Sequence, residues 1–125
     1  MMPKIFTDLF LLKEVFHYHS KIILENADGL ILLFTKSDGS KYHGYRKQLL
    51  DTYIYNLKLW FDTLEDKNKF ERDKADNMIF RTIGSIYIAY IEEILNNRDD
   101  IEIINLYTDK IATIIYGIFR NLLID

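Results

Sequence analysis

Two histidines near the start of the chain, His17 and His19, are the first residues whose type and spacing could do chemistry. Imidazoles bind transition metals, but one metal ion needs ligands that converge on it. Two residues apart on a helix, these side chains point about 200° from one another. We therefore expect no metal site, with one histidine at the edge of the core and the other at the surface.

The chain offers little else for catalysis. It has no cysteine, which removes disulfides, thiolate nucleophiles and Cys-based zinc sites and is compatible with a reducing compartment. No serine lies in a G-x-S-x-G turn, and no glycine motif is followed by the Lys-Ser/Thr of a phosphate loop. We expect no catalytic residue, no cofactor and no enzymatic activity.

The net charge and the hydropathy of the chain limit the classes of partner that it is expected to bind. The net charge is -3, so this segment lacks the basic surface typical of nucleic-acid binding. No apolar run reaches the 18 residues of a membrane span, and the first residues lack the features of a secretory signal. The sequence therefore predicts a cytoplasmic protein with no membrane partner.

Aromatic residues carry more information than these polar motifs. Six of them, and His19 beside them, are predicted to face inward on three helices. They are either plain core or the wall of a cavity, since small-molecule pockets are mostly apolar with a few polar tips. A buried tyrosine needs a hydrogen-bond partner for its hydroxyl, which a ligand can supply. The six are Phe10, Phe16, Tyr53, Trp60, Tyr87 and Tyr90, and the predicted ligand-binding residues are Phe16, His19, Tyr53, Trp60 and Tyr87.

The elements that position these residues are helices. Apolar residues recur at three- and four-residue steps over 7–25, 41–64, 78–97 and 100–124, with Asp99 or Asp100 as the N-cap of the last helix. The apolar run 30–35 could be a strand by its pattern, but it is predicted to be helical because no second strand exists to pair with it. Residues 26–29 and 37–40 are breaks, and 65–77, with nine charged residues of thirteen, is a solvated, mobile loop. The prediction is one all-α domain, 1–125, with about five helices.

The last two predicted helices have unusually wide apolar surfaces. Each carries apolar residues over an arc of roughly 200°, whereas a surface helix needs only about 100°. The short link 97–100 makes them antiparallel neighbours. We predict that a second copy of the chain covers the remaining apolar surface, so that the two helix pairs form a four-helix-bundle homodimer interface. Gly84 and Gly117 lie within these helices, and each either marks a close helix contact or has no such role. The predicted interface residues are Ile88, Tyr107, Ile111, Ile115, Ile118 and Leu122.

This order of pieces resembles the C-terminal, effector-binding and dimerising domain of tetracycline-repressor-like (TetR-family) transcriptional regulators. The resemblance covers nearly the whole chain. It rests on the end of the first helix at 24–28 (LENAD), the short piece 30–34 (LILLF), the turn 37–40 (SDGS) before a long helix, a charged loop, and a helix pair that ends at 115–123 (IYGIFRNLL).

The resemblance implies a function for the domain. In the family, the last two helices dimerise, and a small effector bound among the earlier helices shifts the separation of two N-terminal helix-turn-helix heads. Those heads have no counterpart in 1–125, so DNA would be read only through a missing N-terminal domain, either truncated or naturally absent. The alternative is a helical protein–protein interaction module without a small-molecule ligand.

Overall fold

The described part of the chain folds into five helices, in agreement with the prediction of an all-α domain with about five helices. The computed structural model describes residues 8–35 and 44–123, so the predicted turn at 37–40 lies outside the described residues. The described residues contain no strand. The helices are α1 (Leu9–Glu25), α2 (Ala27–Thr35), α3 (Tyr45–Asp66), α4 (Asp76–Asn96) and α5 (Ile101–Leu122).

Side-chain caps start two of these helices. The carboxylate of Asp8 accepts a hydrogen bond from the Leu11 amide at the start of α1. Asp100 does the same for the Ile103 amide at the start of α5, at one of the two predicted positions. Each cap satisfies an amide that has no partner inside its own helix.

Two predicted helix boundaries differ from the structure. The predicted break at 26–29 is reduced to Asn26, because Ala27 already begins α2. The Asn26 carbonyl accepts from the Leu30 amide, so the residue that ends α1 also starts α2. Helix α3 begins at Tyr45 rather than at Lys41, after Gly44, whose φ of 86° lies in the left-handed region that favours glycine.

The charged connection between α3 and α4 is shorter than the predicted 65–77, since α3 continues to Asp66 and α4 begins at Asp76. Phe70 in its middle is buried. Arg72 pairs with Asp62 and Asp76 while its guanidinium lies over the Phe80 ring. These contacts tie the middle of the predicted mobile loop to both helices.

Helix α5 packs mainly on α1, and α4 packs mainly on α3, so α4 and α5 meet along only a short stretch. Their antiparallel contact includes the Tyr90 and Tyr107 rings, stacked at 5.7 Å. Phe61 lies at the centre of the core and touches three other phenylalanine rings. In the described part of the chain, none of the helices combines the length and the hydropathy that crossing a bilayer requires.

Gly84 marks the close approach of α3 and α4. A Cβ at this position would lie 2.8 Å from Leu50 Cδ1 and 3.3 Å from Ile54 Cγ1. A Cβ at Gly117 would meet no atom within 4 Å of the same chain. Of the two glycines in the predicted helix pair, only Gly84 therefore lies where an added methyl group would press on the side chains of another helix.

The two glycines form a matched test. Gly117→Ala is expected to raise the free energy of unfolding by about 0.5–1 kcal/mol, because alanine is the better helix former. Gly84→Ala is expected to give a smaller increase or a decrease, because the added methyl group presses on Leu50 and Ile54 and this overpacking offsets the same gain. Urea unfolding monitored by circular dichroism measures both. An equal gain at the two positions would contradict the close contact.

Candidate functional site

Four aromatic rings from α1, α3 and α4 form a continuous group. Tyr53 and Tyr87 stack with their centroids 4.7 Å apart and their planes 14° from parallel. Phe16 meets Tyr87 and Tyr90 edge-on at 6.4 and 5.2 Å. Stacked and edge-on rings hold defined separations, so this group gives α1, α3 and α4 a fixed spacing.

Tyr90 anchors the group. Its side chain is fully buried, and its hydroxyl donates to the Phe16 carbonyl at 3.0 Å. Because that bond uses its proton, the Tyr90 oxygen accepts the second bond, from the Thr108 hydroxyl at 3.1 Å. Burial raises the pKa of Tyr90 to about 12, so the hydroxyl keeps its proton at neutral pH.

His19 and Tyr87 supply the polar tip of the site. The Tyr87 hydroxyl lies 3.2 Å from His19 Nδ1. Burial lowers the pKa of His19 and raises that of Tyr87, so both are neutral at pH 7. When the Tyr87 hydroxyl donates to Nδ1, the imidazole proton lies on Nε2. The pair then offers hydrogen bonds without a charge.

These side chains border a cavity of about 410 Å³. The volume lies within the usual range for small-molecule pockets. Four helices contribute to it, and no Asp, Glu, Lys or Arg among the described residues lines it. The lining residues are Leu12, Val15, Phe16, His19, Leu49, Thr52, Tyr53, Asn56, Tyr87 and Ile115.

The structure brings four of the five predicted ligand-binding residues into this cavity: Phe16, His19, Tyr53 and Tyr87. Trp60 lies beside it, in a second concavity of about 240 Å³ that Tyr53, Asn56 and Leu57 also line. Phe10, predicted to face inward, is 69% exposed, because it lies in the first turn of α1 on the side away from the other helices.

Sequence reasoning missed the polar residues of the cavity. Thr52 and Asn56 are one turn apart on α3, next to Tyr53, yet both are exposed to solvent. Their position on the same helical face as Leu49 and Tyr53 was the signal that could have found them. They place hydrogen-bonding groups where the cavity meets solvent.

A larger concavity of about 670 Å³ lies at the corner between α1 and α2. Apart from Ile22 and Leu33, it is lined by the consecutive residues 24–30. This larger concavity is therefore formed by a single bend of the chain, whereas side chains from four helices line the smaller cavity. Convergence of distant residues is the better sign of a binding site.

The two histidines of α1 have different partners, as their angular separation predicts. His17 Nε2 lies 2.7 Å from Asp109 Oδ1 of α5, which joins the two helices at their exposed edge. His19 turns to Tyr87 of α4. Within 8–35 and 44–123, no group of three or more metal-ligating side chains comes together.

The six predicted interface residues divide into two sets. Ile88, Ile111 and Ile115 are buried inside the single chain and are not available to a second copy in this conformation. For Ile111 and Ile115 the reason is that α1 packs along α5 and covers the face assigned to the partner. The other three, Tyr107, Ile118 and Leu122, are half-buried and border the outer face of α5.

Comparison of the chain with protein-family models, curated proteins and solved structures gives no match. The site therefore has to be interpreted from its own geometry. That geometry is an apolar, aromatic cavity with a neutral hydrogen-bonding tip, which is suited to binding a small molecule.

The buried histidine predicts a pH dependence of stability. Because the pKa of His19 is lower in the folded than in the unfolded chain, the unfolded state binds more protons below about pH 6.5. The free energy of unfolding is therefore expected to fall as the pH decreases from 7.5 to 5.5. Denaturant unfolding across this range should show a shallower dependence for His19→Gln.

His17→Gln is the matched control, because it removes a histidine from the same helix without touching the cavity. An unchanged pH dependence in His19→Gln would show that burial of this imidazole does not contribute.

Proposed function

We propose that this chain is the regulatory domain of a transcriptional regulator similar to the TetR family, which senses a small, partly apolar effector in the cytoplasm. The observation that carries the proposal is the cavity between α1, α3, α4 and α5, with Phe16, Tyr53 and Tyr87 as its walls and His19 at its tip. Reading of DNA is assigned to a helix-turn-helix domain that 1–125 does not include.

A neutral, aromatic-walled cavity selects its ligand by desolvation. An ion that entered it would lose its hydration without gaining a counter-charge, which is costly. An apolar body instead gains from contact with the aromatic rings, and one hydrogen-bonding group can pair with the His19–Tyr87 tip. The proposed effector is therefore uncharged and mostly apolar.

The second part of the proposal is dimerisation through the outer faces of α4 and α5. Large apolar side chains remain exposed there: Ile79 on α4 and Ile103, Leu106 and Ile114 on α5. On α5, Ile103 and Ile114 share a face with the half-buried Tyr107 and Ile118, at steps of four, seven and four residues. The proposed interface thus uses the solvent-exposed face of α5, whereas the sequence alone also placed the buried Ile111 and Ile115 in it.

The same exposed residues favour a second candidate function, a helical module that binds a different protein and has no small-molecule ligand. Exposed apolar groups are also characteristic of surfaces for other proteins. Only the sensor needs a small-molecule ligand in the cavity. The two candidates also differ in the expected mass of the isolated protein, which is a dimer for the sensor.

Two adjacent isoleucines test the dimer. Ile114 is 52% exposed and Ile115 is 4% exposed. Ile114→Asp is expected to give a folded monomer, because the charge disrupts only the contact between chains. Ile115→Asp is expected to unfold the chain, because it buries an unpaired charge. Light scattering gives the mass and circular dichroism the helix content.

Asn105→Asp is the control, since it adds the same charge on the opposite side of α5 from Ile114. It should leave a dimer of twice the 15.0 kDa chain mass. A wild-type monomer, or a stable dimer of Ile114→Asp, would remove this interface from the proposal.

Ligand binding is tested with the only tryptophan of the chain, Trp60. Uncharged lipophilic compounds are screened for a saturable change in its fluorescence, and binding is checked by thermal unfolding. A ligand at about 100 times its Kd should raise the free energy of unfolding by about 2.7 kcal/mol. Val15→Phe, which fills the cavity, should weaken binding about tenfold or more.

Glu14→Phe is the matched control, because Glu14 is the exposed neighbour of Val15 and does not line the cavity. If no compound stabilises the wild-type protein while it binds another protein through α5, the interaction module is the correct function.

A further inference from the structure

The two concavities beside α3 adjoin one another. Tyr53 and Asn56 line both the cavity of about 410 Å³ and the neighbouring one of about 240 Å³. The two concavities therefore lie side by side along α3, on either side of these two residues. Together they form an elongated site rather than a compact one.

The length of this site can be read from α3. Its lining residues on α3 run from Leu49 at one end to Trp60 at the other, and all of them lie on one helical face. Eleven residues of α-helix rise about 16 Å. This distance matches an extended medium-chain alkyl or acyl group, and it is longer than a single ring system.

The two ends of the site differ in chemistry. The first concavity holds the His19–Tyr87 pair and Thr52, which form hydrogen bonds without charge. Beyond Asn56, the second concavity is lined by Leu57 and Trp60. Among the described residues, no charged side chain lines either concavity.

We infer that the occupant is a neutral, elongated amphiphile. Its uncharged polar head, such as an amide, alcohol or ester, pairs near His19 and Tyr87, and its medium-length alkyl tail passes Asn56 to reach Trp60. This inference rests on the proposed sensing function and narrows the effector to one chemical class. A carboxylate of the same length is excluded from tight binding, because its charge has no partner in the site.

A series of straight-chain primary amides, from hexanamide to decanamide, tests the length. Each added methylene that becomes buried is expected to raise the affinity about fourfold, as measured by calorimetry below the aggregation limit. The longer amides should change Trp60 fluorescence more than hexanamide does. Affinity that does not depend on chain length would overturn the inference.

Decanoate at pH 8 tests the head group. It is expected to bind at least about tenfold more weakly than decanamide, since only the head differs and its charge must be desolvated. Equal binding of the two would overturn the assignment of a neutral head.

The path between the concavities is tested by Asn56→Phe, which narrows the junction at an exposed position where folding is not at risk. The affinity should then rise less steeply from hexanamide to decanamide, because the alkyl tail can no longer pass this position. Tyr55→Phe is the control, because Tyr55 is the adjacent exposed residue and lines neither concavity. An unchanged length dependence in Asn56→Phe would contradict the proposed path.

The outcomes separate the two proposals. If compact lipophiles such as substituted phenols stabilise the protein but amide length has no effect, the elongated ligand is wrong and the sensing function stands. If neither class of compound binds, the proposed function fails and this inference fails with it.

Discussion

The Tyr90 hydroxyl is the contact on which the arrangement of the helices depends. It joins α4 to the α1 backbone through the Phe16 carbonyl and to α5 through Thr108, and it lies where no water reaches it. A buried hydroxyl without partners costs about 1–3 kcal/mol, so only a packing that preserves both bonds is favourable. This requirement fixes the position of α1 relative to α4 and α5, and with it the position of His19, one turn after Phe16.

The cavity persists next to this anchor because its walls are rings that already have partners. Tyr53 rests on Tyr87, and Tyr87 meets His19 and Phe16, so none of them can turn inward without losing a ring contact or a hydrogen bond. The core continues on the other side through Phe61, Phe80 and Phe119. The protein thus combines a well-packed phenylalanine core with a cavity of defined shape.

Helical periodicity was sufficient to predict the all-α fold, about five helices and four of the ten residues that line the cavity, because helix faces and aromatic residue types follow from local sequence. The covering of those faces was not predictable in the same way. The wide apolar arc of α5 shows that much of its surface needs cover, but not whether α1 or a second chain supplies it. In the structure α1 covers Ile111 and Ile115, and Ile103 and Ile114 are left outside. Thr52 and Asn56 escaped notice because exposed polar residues on a helix are ordinary.

Gly84 couples the cavity wall to the neighbouring helix. Since no side chain separates the α4 backbone from Leu50, Tyr53 and Ile54, the two helices touch directly at this level. The Tyr53 ring, which lines the cavity, therefore packs next to the α4 backbone at Gly84 as well as on the Tyr87 ring. The missing methyl group thus brings a wall of the cavity against the main chain of the neighbouring helix.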